Sequence, residues 1–534
     1  MKKWLVSFLA FLLLLSVIGC SSATPAPTSS DSTSQPNQPA ANQPPPSKQK
    51  NELRVALSVA PPTLDLHKTT AIATQQVSWH IYEYLVTLDK EYKVVPMLAE
   101  KIELSEDGKT ITLPLRKDIK FHNGKTMTAE DALASLNRWK ELSSIGRAAL
   151  ANATISAKDG QTIQISLPQP SSAVLPALAY PQQGAVIMPK ETIEAAGEEG
   201  VKEYIGTGPF QFVEWKQDQY IHLKKFADYK PLSEPTSGLA GKREAKVDDL
   251  YFIPVPDAAT RVAGVQSGEF DFADEIPFDN YNLIKDDPNL VATITKPRRY
   301  NGLVFNSKNG LFANVKMRQA VNAALDMESI MLAATGDSQF FRLDHGLMYQ
   351  EQAWYVDSGK EHYNQKNPEK AKQLLSEAGY KGEPITILGT RDYEFLYKSA
   401  LLVKDQLEKV GMTVNLEIYD WPTLVSKRSD EKAWNIFFTF FPIYTNPTQT
   451  LFLDSRNKWP GWYSNPKMDQ LLDQMRSTTN FDEEKKIFEQ VQALFWEDVP
   501  VIKLGDMHGL TAQAKHVRDF NFFMDLSFWN VSVQ

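Results

Sequence analysis

Beyond residue 50, apolar residues either alternate with polar ones or recur at helical spacing, and short turn signals separate the runs. Residues 51–59 alternate and predict a first strand. Val77, Ile81, Tyr84 and Leu85 fall on one side of a helix predicted over 74–85. Residues 101–104 and 110–115 alternate around Ser105-Glu106-Asp107-Gly108-Lys109, where Asp-Gly suits a tight hairpin. After a turn at Asn123-Gly124, Thr128 is placed to cap a helix. Its first turn carries Glu130 and Asp131, and its apolar side is Ala132, Leu133, Leu136 and Trp139. A strand over 162–167 is stopped by Pro168-Gln169-Pro170, and a helix begins within 171–178. A hairpin turns about Gln217-Asp218. A strand over 247–254 and a helix over 257–267 follow.

In the second half a strand is expected over 300–306 and a helix over 312–330. Asn314 would cap that helix, and Val315, Met317, Ala320, Val321, Ala324 and Leu325 would form its buried side. Another helix starts at Asn367-Pro368 and stops at Gly379. A strand over 385–389, a helix over 397–410 closed by Gly411 and a strand over 413–419 read as a crossover onto a parallel sheet, so the fold class is α/β. The last forty residues are expected to return as strands.

The first fifty residues have a different pattern. Met1-Lys2-Lys3 is basic, and 5–18 is an apolar run of signal-peptide length, short for a membrane span. Val17-Ile18-Gly19-Cys20 resembles a lipobox, in which the chain is cut before the cysteine and the thiol takes a lipid. Cys20 is the single cysteine in 534 residues, so an intrachain disulfide and a cysteine zinc site are both excluded. Residues 21–50 are almost all Ser, Thr, Pro, Gln, Asn and Ala, with too little apolar bulk to offset ordering entropy. They are expected to form a disordered tether. Residues 51–534 exceed what one core supports, so two or three lobes are expected.

Charge and motifs narrow the function. The net charge is −8 and there is no basic stripe, which argues against a nucleic-acid partner. The eight histidines make no zinc-protease pattern, and no G-x-S-x-G elbow is present. Gly206-Thr207-Gly208-Pro209-Phe210 is glycine-rich but lacks the Lys-Ser/Thr of a phosphate-binding loop. Gly206 and Gly208 are read as supplying backbone angles that other residues avoid. No cofactor is expected. A secreted lipoprotein hydrolase is the rival class, and no nucleophile with a base supports it.

Several stretches resemble one family. LAEKIELSEDGKT…LRKDIKFHNGK…TAEDALASLNRW, GTGPF at 206–210, Gly268-Glu269-Phe270-Asp271, YNGLVFN at 300–306 and FANVKMRQAVNAALDMESI at 312–330 resemble the family 5 extracytoplasmic solute-binding proteins, the peptide- and nickel-type receptors of ABC importers. In the opening Leu-Asp-Pro of that family, Leu66 stands in place of the proline. The resemblance implies a two-lobed periplasmic-binding-protein-like fold (type II, large cluster) with a small inserted domain. It implies lobe one at 51–90, 205–300 and 505–534, the inserted domain at 91–204, and lobe two at 301–504. It also implies a monomer that takes a peptide-like or other small solute and hands it to permease subunits, held at the membrane by lipid on Cys20.

The family's ligand block aligns with 420–448. The resemblance then places Trp421, Arg428, Phe440, Phe441, Ile443 and Tyr444 at the cleft, with Tyr300 and Asn306 on the crossing strand and Thr70 and Ala71 at its mouth. Trp421, Phe440, Phe441 and Tyr444 would form a stacking wall, with core packing the ordinary alternative for each ring. Peptide binders of the family carry an Asp where this chain has Ile443. An isoleucine cannot offset a buried ammonium, so capture of a free peptide N-terminus in the usual way is not expected. A modified peptide, a saccharide, a nickel chelate or another small organic molecule remains.

Overall fold

Two long antiparallel strands, Leu290–Phe305 and Val501–Ala514, run through the middle of the fold. Every residue of Val501–Ala514 is buried, as expected of a strand covered on both faces. This computed structural model describes residues 51–534; the leader expected at 1–20 with Cys20 and the tether expected at 21–50 lie outside the described residues.

Both central strands belong to one eleven-stranded sheet with a different set of neighbours on each side. Toward one edge lie Ile436–Phe441, Pro384–Thr390 and Thr413–Tyr419. The last two are parallel, and helix Glu394–Lys409 connects them as the predicted crossover. Toward the other edge lie Phe272–Ala273, Glu52–Leu57, Asp249–Pro254, Tyr220–Lys225 and Phe210–Lys216. A separate four-stranded antiparallel sheet spans Glu103–Leu104, Thr110–Pro114, Thr162–Ser166 and Thr154–Asp159. Helix Ala129–Leu142 covers it, and Leu136 and Trp139 share a core with Ile111, Ile163 and Ile165.

Local signals account for most element ends. The Thr128 amide and hydroxyl both donate to Asp131 Oδ2, at 2.9 and 2.8 Å, which sets the start of helix Ala129–Leu142. Asn314 accepts the Lys316 amide at 3.0 Å, and Gly379 closes Pro368–Ala378 with φ 77°.

Three expectations need correction. The helix expected over 312–330 is two helices, Val315–Ala324 and Met327–Thr335, because Asp326 caps a new start by accepting the Ser329 amide. The helix expected over 74–85 runs only Ile72–Ser78. Beyond it, the carbonyls of His80 and Ile81 accept from the amides of Phe210 (3.1 Å) and Gly208 (2.9 Å). The same contact corrects the reading of the glycines. A Cβ on Gly206 would lie 2.1 Å from the Ile81 carbonyl oxygen, and one on Gly208 would lie 2.5 Å from that of His80. Close approach of two backbones, not a special φ, is what these positions require.

The four-stranded sheet part is joined to the helices Pro466–Ser477 and Phe481–Asp498 through Ser172. The Ser172 amide donates to the Arg476 carbonyl (3.1 Å). Its hydroxyl lies 3.0 Å from the Met475 carbonyl and 2.8 Å from Glu484 Oε1. One hydroxyl proton cannot serve two acceptors, whereas a protonated Glu484 could donate to Ser172 Oγ and leave the serine proton for Met475. Burial pushes the Glu484 carboxyl up to about 7. A carboxyl whose folded pKa is raised holds its proton in the folded chain after the unfolded chain has lost it. Stability should therefore fall as pH rises from the ordinary carboxylate range through about 7. The expected loss is on the order of 2 kcal/mol between about pH 5 and about pH 8. Denaturant melts of Glu484→Gln across that interval should show this slope removed; an unchanged slope would refute the assignment.

Candidate functional site

A cavity of about 770 Å³ opens beside the two central strands and draws its walls from both sides of the sheet. A narrower one of about 90 Å³ adjoins it, and Ile72, Gln182, Arg298, Arg299 and Phe440 border both. One wall is aromatic. Phe440 comes from strand Ile436–Phe441 and Trp421 from the first turn of helix Trp421–Lys427, where Asp420 caps the helix by accepting the Thr423 amide. The two rings stack at 5.8 Å and 15°, and Tyr393 stands edge-on to both at 5.1 Å. Phe395 completes the group, 5.9 Å from Phe440. Asp392 Oδ2 accepts the Trp421 amide at 2.7 Å and so ties the helix start to the strand end beside it.

The facing wall is charged. The pairing of the two central strands breaks register between Thr295 and Arg299, opposite Gly509 and Met507, a bulge that turns Arg298 and Arg299 toward the cavities. Arg298 Nη2 lies 3.0 Å from Asp274, 3.3 Å from Glu275 and 3.6 Å from Asp525. Arg299 Nη2 donates to Glu275 Oε1, and its guanidinium lies 5.2 Å from the centre of the Phe440 ring. Burial works against the charge on Glu275, but Arg299 and Arg298 hold its carboxyl well below the ordinary range. Burial pushes Asp525 up, against the pull of Arg298. His508 also borders the larger cavity, and burial keeps it neutral, with a pKa lowered to about 4.

The mouth is formed by residues 58–73. That loop is anchored at Asp65, whose carboxylate meets Arg138 at 3.0 and 2.5 Å and accepts the Val201 amide at 3.0 Å. Gln182 Nε2 donates to the Thr70 carbonyl at 2.9 Å and Gln183 Nε2 to that of His67 at 3.1 Å. Thr70 and Ala71 thereby reach the cavity wall.

The residues proposed from the family resemblance divide between several places. Trp421, Phe440, Thr70 and Ala71 border the larger cavity, and Ile443 borders the narrower one. Phe441 faces the opposite side of its strand, buried and stacked on Tyr300 at 4.8 Å. Tyr300 sits in that same core with Lys503 over its ring. Asn306 lies at the strand end and donates to the carbonyls of Glu431 (2.7 Å) and Trp434 (3.2 Å). Tyr444 packs against the Tyr300 core, and its carbonyl accepts from Gln352. Arg428 closes the Trp421 helix, its guanidinium 5.8 and 5.9 Å from the Phe437 and Trp459 rings.

Sequence reasoning missed Arg298, Arg299, Glu275 and Tyr393. Lys296-Pro297-Arg298-Arg299 did carry a usable signal, because a proline inside a strand marks an edge or a bulge.

Residues 93–460 match the family described as bacterial extracellular solute-binding proteins, family 5, middle. The chain is 32% identical to the probable peptide ABC transporter periplasmic-binding protein y4tO of Sinorhizobium fredii, across 82% of this chain and 85% of that one. It is 29% identical to the glutathione-binding protein GsiB of Escherichia coli K12, across 87% and 91%. Among solved structures it resembles the binding protein AgaA of A. tumefaciens R10 in complex with agropinic acid. That likeness has a TM-score of 0.76 and 26% identity and covers 90% of this chain and 99% of that one.

Proposed function

The chain belongs to the family 5 bacterial extracellular solute-binding proteins, and on that premise we propose that it closes on a small solute in the 770 Å³ cavity and delivers it unchanged to an ABC permease. The observation that carries this is the cavity wall itself. Trp421 and Phe440 come from one side of the central strands, Thr70 and Ala71 from the other, and the arginines from the bulge between them. A solute touching all three favours the closed arrangement, which is how binding can drive closure.

The remaining parts of the proposal follow the family pattern. Lobe one is 51–90 with 205–300 and 505–534, the inserted domain is 91–204, and lobe two is 301–504. Lipid on Cys20 and the 21–50 tether hold a monomer at the membrane. Among the described residues no helix is long and apolar enough to cross a membrane.

A peptide-like solute is the first reading, since the relatives above include a probable peptide receptor and a glutathione-binding protein. Ile443 at the narrow cavity argues against one held by a free α-ammonium. The flat Trp421–Phe440 stack equally suits the face of a sugar ring, the second reading.

Native mass spectrometry of the full chain purified from its own cells should recover a retained solute. Adding that solute back at about 100 times its Kd should stabilise the fold by about 2.7 kcal/mol and leave the solute intact. Cleavage of the recovered solute would replace the receptor reading with the hydrolase one.

A further inference from the structure

Three guanidinium groups and three carboxylates meet along the charged wall, and their hydrogen bonds are unequally distributed. Arg261 is engaged at all three nitrogens by backbone carbonyls, donating to Val255 (2.7 Å), Pro256 (2.9 Å), Asp274 (3.0 Å) and Glu275 (2.8 Å). Asp525 Oδ1 is taken up by the Gln76 side chain (2.9 Å) and the Leu526 amide (2.8 Å), and Asp274 Oδ2 by Gln76 (3.0 Å) and Arg298 (3.0 Å). Arg298 donates to Asp274 through Nη2, and its Nη1 and Asp274 Oδ1 are buried without a partner. Arg299 differs in that its free nitrogens are not closed off in this way. Its side chain is 9% exposed, yet only Nη2 has a hydrogen-bond partner, Glu275; Nε and Nη1 find no acceptor among the described residues. Arg299 borders both cavities at their junction, flanked by Phe440 and Phe395.

A guanidinium that borders a cavity with N–H groups no protein acceptor takes is open to a ligand, and a planar oxyanion matches its fork. The other end of the site points the same way. Ile443 offers no countercharge to a cation, and the acids at the rim are engaged: Asp392 holds the Trp421 amide, and Glu394 pairs with Lys398 at 2.9 Å. Asp279 is the remaining acid of the rim.

We infer that Arg299 is the specificity-determining contact of this site and that the solute is an organic anion. Its carboxylate is received on the fork of Arg299 that Glu275 leaves open, the second Nη2 hydrogen paired with Nε or with Nη1, and its ring or apolar body lies against Trp421 and Phe440. This inference rests on the cavity being the capture site. It reverses the electrostatics of ammonium anchoring: the solute is held by its acid, and its amine can be blocked or missing.

The test uses the full chain and a panel of N-acetylated dipeptides, sugar acids and aromatic acids, each paired with its primary amide, read by tryptophan fluorescence and thermal unfolding. At least one acid should bind about tenfold or more tightly than its amide, the scale of a charge-assisted bidentate contact. Arg299→Gln should bring the pair to near equality. Glu275→Gln, which releases the competing claim on Arg299, should tighten the acid and leave the amide unchanged. The second variant moves affinity upward, so a misfolded Arg299→Gln cannot imitate the pattern. Equal binding of acid and amide, a requirement for a free amine, or no acid binding at all overturns the inference. Recovery from cells of a retained solute without an acidic group would overturn it too, while leaving solute capture standing.

Discussion

Arg138→Met is expected to destabilise the fold by about 3–5 kcal/mol, the range for removing one partner of a buried ion pair. Asp65 is fully buried, and the Arg138 side chain is 10% exposed. Burial alone would raise the Asp65 pKa; Arg138 and the Val201 amide outweigh it and hold the carboxyl below its ordinary value. Without the guanidinium, a carboxylate remains with only the backbone amides of Val201 and His67 to solvate it. An acid with a depressed folded pKa contributes stability that is present above its unfolded pKa of about 3.8 and is lost as pH falls through the folded one. The variant should therefore lose most at neutral pH, and the wild-type advantage should shrink in acid. Asp65→Asn combined with Arg138→Met should recover much of the loss, because no buried charge is then left. The same pair holds residues 58–73 at the cavity mouth, so the folded fraction of Arg138→Met should also bind solute more weakly. Urea melts of the single and double variants decide the point: a loss below about 1 kcal/mol, typical of exposed pairs, would show that the pair does not anchor the loop.

Secondary structure was legible in the sequence wherever a local rule acted alone. The Thr128–Asp131 start, the Asn314 cap, the Gly379 stop and the 384–419 crossover are set by residues within a few positions of one another. Legibility failed where a distant partner decided. The helix from Ile72 stops because Gly208 and Phe210, far along the chain, claim the carbonyls of His80 and Ile81. The strand from Leu290 is hidden because Lys296-Pro297-Arg298-Arg299 interrupts its apolar run, and that interruption is the bulge carrying the charged wall of the site. Along 300–306 and 436–441 the sequence shows aromatic residues without saying which face each takes. Tyr300 and Phe441 are cross-strand partners on the core side, and Phe440 points the other way because side chains alternate along a strand. Glu275 and Tyr393 carried no local signal; only the fold brings them to the cavity.

That alternation supplies the second large effect. Phe440→Ala should weaken solute binding by about 2 kcal/mol or more, roughly thirtyfold or greater, as for a central aromatic contact. The ring is only partly buried and meets Trp421, Tyr393, Phe395 and Arg299. Its removal takes away a cavity wall and the aromatic support of Arg299, and costs stability less than loss of a fully packed core ring. Phe441→Ala should do the reverse. Phe441 is 3% exposed, stacks on Tyr300 at 4.8 Å and meets Phe452 at 5.1 Å. Its truncation leaves a void in a packed core and should cost about 3–5 kcal/mol of stability. Affinity per folded molecule should stay within about twofold, since Phe441 touches neither cavity; a factor of two is under 0.5 kcal/mol. Calorimetric titration at a temperature where both variants are folded, together with urea melts, separates the two effects. If Phe441→Ala abolished binding while Phe440→Ala left it intact, the capture site would have to lie on the other face of the strand, beside Tyr300 and Tyr444, and the cavity assignment would fail.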